Sequence, residues 1–335
     1  MGYTLEEIAK MANVSRSTVS RVVNNHPNVS EEARERVWEV IKKVGYQPHA
    51  AARSLATNRS NVLALIIPEP VAKIFTDPFF PLLIKGMASA CNDHKYNLML
   101  SLFNDKSEQE SQYLRVLKSG SLDGAVIAST VLDDPLVPRL IADGISFVMV
   151  GSYPDERVSY VDVDNVNGGR IAVEHLLRLG HERVATITGP MSMKASMDRF
   201  EGYRQALKNR GLEVDPNLVA EGDFTEQGGY VAMKALLPQK PTAVFVASDT
   251  MAFGAARAIR EAGLSIPGDV ALVGFDDLPV SSAMNPPLTT VRQPIEKLGY
   301  LATEVLIDIV DGKVQQPQRL VLPTELVIRQ SCGGA

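Results

Sequence analysis

On a helix over Ser15–Asn24, Arg16, Ser17, Ser20 and Arg21 would fall within an arc of about 140° at roughly 100° per residue. Val19, Val22 and Val23 would lie opposite, so the helix packs by its valines and turns its polar arc outward. A guanidinium on such an arc can donate two bonds to guanine O6 and N7, rejecting a wrong base by about 1–3 kcal/mol. Arg16, Ser17 and Arg21 are therefore expected to read bases, while Thr4, Ser15, Thr18, Ser20 and Asn24 are placed for phosphate contacts. The plainer reading of the same arc is a three-helix protein-binding module with a solvated Arg/Ser face.

The flanking residues supply what would position that helix. Thr4-Leu-Glu-Glu7 is a capping box, and the helix it starts presents Leu5, Ile8, Ala9 and Ala12 on one side. Asn13 tolerates the left-handed angles of a helix end, and Ser15 can cap the next helix. A third helix starts at Ser30, carries Glu31 and Glu32 in its first turn, buries Ala33, Val37, Val40, Ile41 and Val44, and stops at Gly45. Two short helices joined by a tight turn, with a third behind, suit a reader of the DNA major groove. Pro48 cannot sit inside a helix, so His49–Ala56 would be a separate helix. At eight residues it is shorter than the roughly 12–15 at which isolated helices become marginal. Its small residues, Ala52 among them, let two copies approach closely, and Leu55 is its one large apolar side chain, fit to wedge between base steps in the minor groove.

Charge separates this head from the rest. Residues 1–60 hold nine basic and six acidic side chains, a local charge of +3, against −5 for all 335 residues, so the remainder carries −8. A basic head on an acidic body offers one end to a polyanion. Hydrophobic residues are 45% and charged ones 22%, ordinary for a globular chain. No signal peptide or membrane-length apolar run is apparent, which predicts a cytoplasmic protein. Cys91 and Cys332 match no metal spacing and read as incidental thiols. Walker A, G-x-S-x-G, G-x-G-x-x-G and H-E-x-x-H motifs are all missing, and the five histidines show no ligand spacing. Asp133-Asp134 and Asp276-Asp277 are adjacent pairs, which do not face each other as an acid/base pair must. No enzyme, metal site or cofactor is expected.

From Val62 onward short apolar runs alternate with amphipathic segments. Strands are predicted at Val62–Ile67, Asn97–Leu102, Gly124–Ala128, Ser146–Val150, Val161–Val163, Val184–Thr188, Ala243–Ala247 and Val270–Phe275, with helices near 79–94, 107–119, 135–143, 166–179, 197–210, 226–237, 250–262 and 295–311. Continuous Val/Ile/Leu strands between helices indicate parallel sheets covered on both faces. Eight such units divide into two halves near residue 162, and ligands in such folds bind beyond the carboxyl ends of the strands.

TLEEIAKMANVSRSTVSRVVN and YQPHAAARSLA, within residues 4–57, resemble the DNA-binding head and hinge helix of the lactose/galactose repressor (LacI/GalR) family, and the similarity continues through nearly the whole chain. The resemblance implies an α/β protein with a three-helix helix-turn-helix head over 1–47 and a hinge helix and linker over 48–60. Behind them it implies a two-lobed, periplasmic-binding-protein-like body of doubly wound parallel sheets over 61–331. The N-lobe is expected at about 61–161 and 291–320, the C-lobe at about 162–290 and 321–331. The family further implies a homodimer on a pseudo-palindromic operator, hinge helices ordered on double-stranded DNA with the Leu55 pair at its centre, and regulation by a ligand in the body. The chain ends at Ser331-Cys-Gly-Gly-Ala335 with no leucine heptad, which argues for a dimer over a tetramer.

Matched to the family, Asp77, Phe79 and Phe80 of Asp77-Pro-Phe-Phe80 enter the effector cleft; an N-cap with a core Phe pair is the alternative. Asp164 closes a strand, as ligand contact or helix cap. Arg199 in RFEGY, Phe224 in EGDF and Asp276 in VALVGFDD stand where the family keeps an effector arginine, a stacking aromatic and an effector carboxylate. Asp249 reads as a structural N-cap. Arginine, carboxylates and aromatic faces together suit a sugar, because charged groups bind neighbouring hydroxyls while a ring covers the C–H face. Met193, Ala195 and Met197 depart from the polar residues of purine-type members. The expected effector is therefore a mono- or oligosaccharide, phosphorylated sugars included. The alternatives are a purine effector, a protein corepressor, or a sugar receptor without DNA function.

Overall fold

Three helices pack by a narrow apolar stripe: α1 (Leu5–Ala12), α2 (Arg16–Val23) and α3 (Glu31–Val44). Thr4 and Glu7 close the capping box, Asn13 takes left-handed angles, Ser30 caps α3, and Gly45 ends it at φ 62°. Ile8, Val19, Val22 and Val37 are fully buried at their junction, with Ala9, Ala12, Ala33 and Ile41 nearly so. Val40 and Val44, expected in this core, are only half-buried, because α3 turns them toward its flank.

This computed structural model describes residues 3–23, 26–46, 59–103, 116–118, 121–128, 131–132 and 134–334. The chain divides into two units, Met1–Ser60 and Asn61–Ala335. The hinge helix with Ala52 and Leu55, the end of the recognition segment at Asn24, and most of the helix expected over 107–119 lie outside the described residues.

The second unit holds two six-stranded sheets. β1 (Val62–Pro70), β2 (Asn97–Phe103), β3 (Gly124–Ala128), β4 (Phe147–Val150) and β5 (Tyr160–Val163) join β11 (Arg319–Leu322) in the order β11-β5-β4-β3-β1-β2. β6 (Val184–Thr188), β7 (Val219–Glu221), β8 (Ala243–Val246), β9 (Ala271–Asp276) and β10 (Thr289–Arg292) join β12 (Glu325–Val327) in the order β12-β10-β9-β8-β6-β7. Each order reverses direction once, between β1 and β3 and between β6 and β8, and at such a switch the chain opens a crevice beyond the strand ends. β3, β4, β6, β8 and β9 are buried along their whole length, as strands covered on both faces must be.

Among the described residues, the pairings within the two sheets are parallel except one. β12 runs antiparallel to β10, contrary to the all-parallel expectation. Only Pro323 and Thr324 separate it from β11 in the other sheet, leaving no room for the crossover that parallel entry needs. β7, β10, β11 and β12 were not anticipated from the sequence. β7, β11 and β12 are three or four residues long, β11 largely exposed and β7 and β12 mostly half-buried, and β10 buries two threonines, so none presents an apolar run.

One close crossing bears on function. Helices Asn165–Arg178 and Lys194–Asn209 approach so closely that a Cβ on Gly169 would lie 2.3 Å from the Arg199 carbonyl oxygen. Glycine there lets the second helix deliver Arg199 to the interior.

Candidate functional site

On the head, α2 turns Arg16, Ser17 and Arg21 to solvent and its valines inward. The Ser15 hydroxyl accepts from the Thr18 amide at 3.1 Å and lies 2.7 and 2.8 Å from the hydroxyls of Ser17 and Thr18. Three hydroxyls therefore gather at a helix N-terminus, where unpaired amides and the helix dipole favour an anion. Arg16 pairs with Glu6 of α1, Nε to Oε1 at 2.9 Å. Thr4, at the start of α1, is held by Glu7, whose carboxylate accepts from the Thr4 amide at 2.7 Å and is thereby kept below its usual range.

In the second unit, a solvent-open cavity lies between the carboxyl ends of the two sheets. Asp77, Phe79, Phe80, Arg199, Phe224 and Asp276 all line it. Arg199 is buried. Its Nε donates to Asn165 Oδ1 at 2.9 Å, its Nη1 donates to the Ala247 carbonyl at 2.6 Å and lies 3.7 Å from Asp276 Oδ1, and its guanidinium stacks on Phe275 at 3.7 Å. Desolvation pushes the arginine down, and the surrounding carboxylates, Asp276 foremost, pull it back. Arg199 is thus a buried cation held from several sides, not a surface group.

Asp276 ends β9 at φ 121°, a strained angle for a residue with a side chain. The Gln293 amide holds its Oδ1, and burial pushes its carboxyl well above the usual range while Arg199 opposes the shift. Phe224 takes φ 65°, and a Cβ on Gly189 would lie 2.1 Å from its ring, so the bare glycine is the seat of the ring. Asp77 accepts from the Phe79 amide at 3.0 Å, and Phe79 and Phe80 meet edge to face at 5.4 Å.

Asp164 is absent from this lining. It is exposed, and its carboxylate accepts from the Asn167 amide at 2.9 Å to cap the helix Asn165–Arg178. Its neighbours take the place foreseen for it: Asp162 and Asn165 line the cavity. Asp162 accepts from the amides of Ser152 and Val163 at 2.8 and 2.7 Å and from Asn165 Nδ2 at 3.0 Å. A charged residue inside a buried strand was the available signal for it. Gln293 and Ser248 were also missed, the first because β10 was invisible in the sequence. Asp249 is not the N-cap expected; Ser248 caps that helix. Asp249 is instead fully buried and accepts from Ser281 Oγ at 2.6 Å, Thr290 Oγ1 at 2.6 Å and the Leu278 amide at 3.0 Å. Burial pushes it up to about 6.

Cys91 and Cys332 are buried and free, and burial pushes the Cys91 thiol up to about 11. Among the described residues no cluster of His, Cys, Asp or Glu could hold a metal ion, and no helix is long and apolar enough to cross a membrane.

Two family profiles match the chain: "Bacterial regulatory proteins, lacI family" over residues 4–49 and "Periplasmic binding protein-like domain" over 173–332. The transcriptional regulator CelR of Thermobifida fusca is 41% identical over 333 residues, 98% of either chain. A solved structure of a CelR–cellobiose complex superposes with a TM-score of 0.79 at 39% identity, covering 98% of this chain and 99% of that one. The Lac repressor dimer bound to operator and the anti-inducer ONPF gives 0.86 at 28% identity, covering 99% of each chain.

Proposed function

The chain belongs to the lacI family of bacterial regulatory proteins, and from that premise we propose that its cleft takes a neutral disaccharide whose binding is reported to operator DNA by a dimer. The family makes it a sugar-responsive, DNA-binding transcription repressor. The effector class is the finer question, and one observation carries it. Arg199 is the one cation among the described lining residues, it is already engaged, and Asp77, Asp162 and Asp276 surround it. A phosphorylated sugar would meet this carboxylate excess without a free cation to hold it. Neutral hydroxyls can instead bond to Asp276, Gln293 and Arg199 while Phe224 and Phe79 cover C–H faces.

Met193 and Ala195 line the cavity with apolar surface, where a purine would require amide-type partners. The cellobiose bound by the 39% identical CelR supports a two-ring ligand. Arg16, Ser17 and Arg21 would read operator bases, with Thr4, Ser15, Thr18 and Ser20 on phosphates. Closure of the two sheets' ends on the sugar would change operator affinity by about 5–150-fold, the usual range of such couplings.

The test is a thermal-shift panel on the full chain with cellobiose, other hexose disaccharides, glucose, a hexose phosphate and hypoxanthine, followed by operator binding with each hit. A ligand at 100 times its Kd stabilises by about 2.7 kcal/mol, which is readily seen. A disaccharide hit that shifts operator binding supports the proposal. A hexose phosphate or purine hit instead overturns it.

A further inference from the structure

Glu6 stands in the first turn of α1 and Arg16 opens α2, and their pairing through Nε joins the two helices at the surface that faces outward. A cation at a helix N-terminus sits against the positive end of the peptide dipoles, so Arg16 gains from a carboxylate at that place. The Glu6 backbone is set by the capping box that Thr4 and Glu7 close, which gives the carboxylate a defined origin. The side chains are 56% and 68% exposed, too open for the pair to matter much to folding. The contact engages the Nε edge of the guanidinium. A guanine O6/N7 contact can then use the two terminal nitrogens.

We propose that Glu6 is a positioning residue for base reading: it holds Arg16 by Nε with its terminal nitrogens turned toward a guanine, and so contributes sequence preference instead of affinity. The inference rests on Arg16 as a base reader. A carboxylate present for its charge alone would weaken binding to every sequence alike, since the phosphate backbone is the same everywhere. A positioning carboxylate acts at one base pair per half-site.

The experiment selects operators from randomised half-sites with the full-length wild type, Glu6→Ala, Glu6→Gln, Arg16→Ala and the Glu6→Ala/Arg16→Ala double variant. Affinity for the selected operator and for an unrelated duplex is then measured at one salt concentration. Glu6→Ala is expected to relax preference at the same position as Arg16→Ala, lowering the specificity ratio about 3–10-fold, part of what a full bidentate contact is worth. Affinity for the unrelated duplex should hold or rise. Glu6→Gln, whose amide oxygen can take the same place beside Nε, should retain most of the preference. In the Arg16→Ala background, removing Glu6 should change no position. Equal changes on operator and unrelated duplex overturn the proposal, as does an altered preference in that background. If Arg16→Ala itself leaves every position intact, the base-reading assignment falls and the inference falls with it.

Discussion

The two sheets of the body share one strand order and do different chemistry. Shifting β1–β5 by five gives β6–β10 in the same sequence of neighbours, with β11 and β12 each added beside the last of them. Both present strand ends to the same cavity. The first sheet's side contributes Phe79, Phe80, Val150 and Leu298, and its carboxylates are already satisfied from nearby: Asp77 by the Phe79 amide, Asp162 by Ser152, Val163 and Asn165. The second contributes the polar Arg199, Asp276 and Ser248 beside the apolar Met193, Ala195 and Phe224, with Asp276 and Phe224 at strained angles. One fold repeated twice thus supplies an apolar cover and a polar seat. The difference arises because strand order fixes where loops emerge, while the residues on those loops are free to diverge.

If the second lobe is the seat, removing its cation should have the largest effect. Arg199→Ala leaves Asp276 buried without its counter-charge, and breaking a buried pair typically costs about 3–5 kcal/mol. We expect a lower Tm and ligand affinity reduced more than about 100-fold by calorimetry, with operator binding retained at low temperature. A ligand response left intact would show that the seat is elsewhere.

The next prediction uses the proton held in the same lobe. The folded pKa of Asp249 is raised to about 6 by burial, so the folded state binds its proton more tightly than the unfolded chain does. The stability this confers is present at low pH and is lost as pH rises from about 4 through 6, with a slope approaching ~1.4 kcal/mol per pH unit. Asp249→Asn should flatten that part of the curve. It should also lower stability throughout, since Ser281, Thr290 and the Leu278 amide all donate to this group and an amide can present only one acceptor atom. Urea unfolding at pH 4, 5, 6 and 7 measures both, and parallel curves for wild type and variant would contradict the assignment.

A smaller change is expected in the cover. Phe79→Ala removes ring surface and should weaken the sugar by about fivefold to thirtyfold, a contact of 1–2 kcal/mol, with the coupling to operator unchanged. Loss on the scale of Arg199→Ala would mean that the two lobes share the binding role. The smallest effect belongs to Asp164→Ala. Losing a helix cap costs about 1 kcal/mol of stability, seen as a modest drop in Tm, while ligand affinity stays at the wild-type value.

The head was legible almost to the residue, since caps and apolar spacing are local: Thr4, Asn13, Ser30 and Gly45 end or start helices by the conformations their own types favour. The long buried strands were legible for a related reason, that a strand covered on both faces must be apolar throughout. The cavity was legible only in part. Arg199, Phe224 and Asp276 could be placed by resemblance to a family, but nothing in RFEGY says that the arginine is buried on a phenylalanine ring. Asp164 and Asp162 look alike in YVDVDN, and alternation alone could not say which would cap a helix and which would face the cleft.

By itself, then, the sequence determined the helical head with its outward Arg/Ser arc, the parallel α/β body, and the types of group available to a ligand. All of these follow from propensity, periodicity and charge within a few residues. Only the tertiary structure decided that β10, β11 and β12 exist, that Gln293 reaches Asp276, and that Asp249 is buried under Ser281 and Thr290. Those depend on pairings between residues from 16 to 159 positions apart, where each segment alone is too short or too polar to announce its partner.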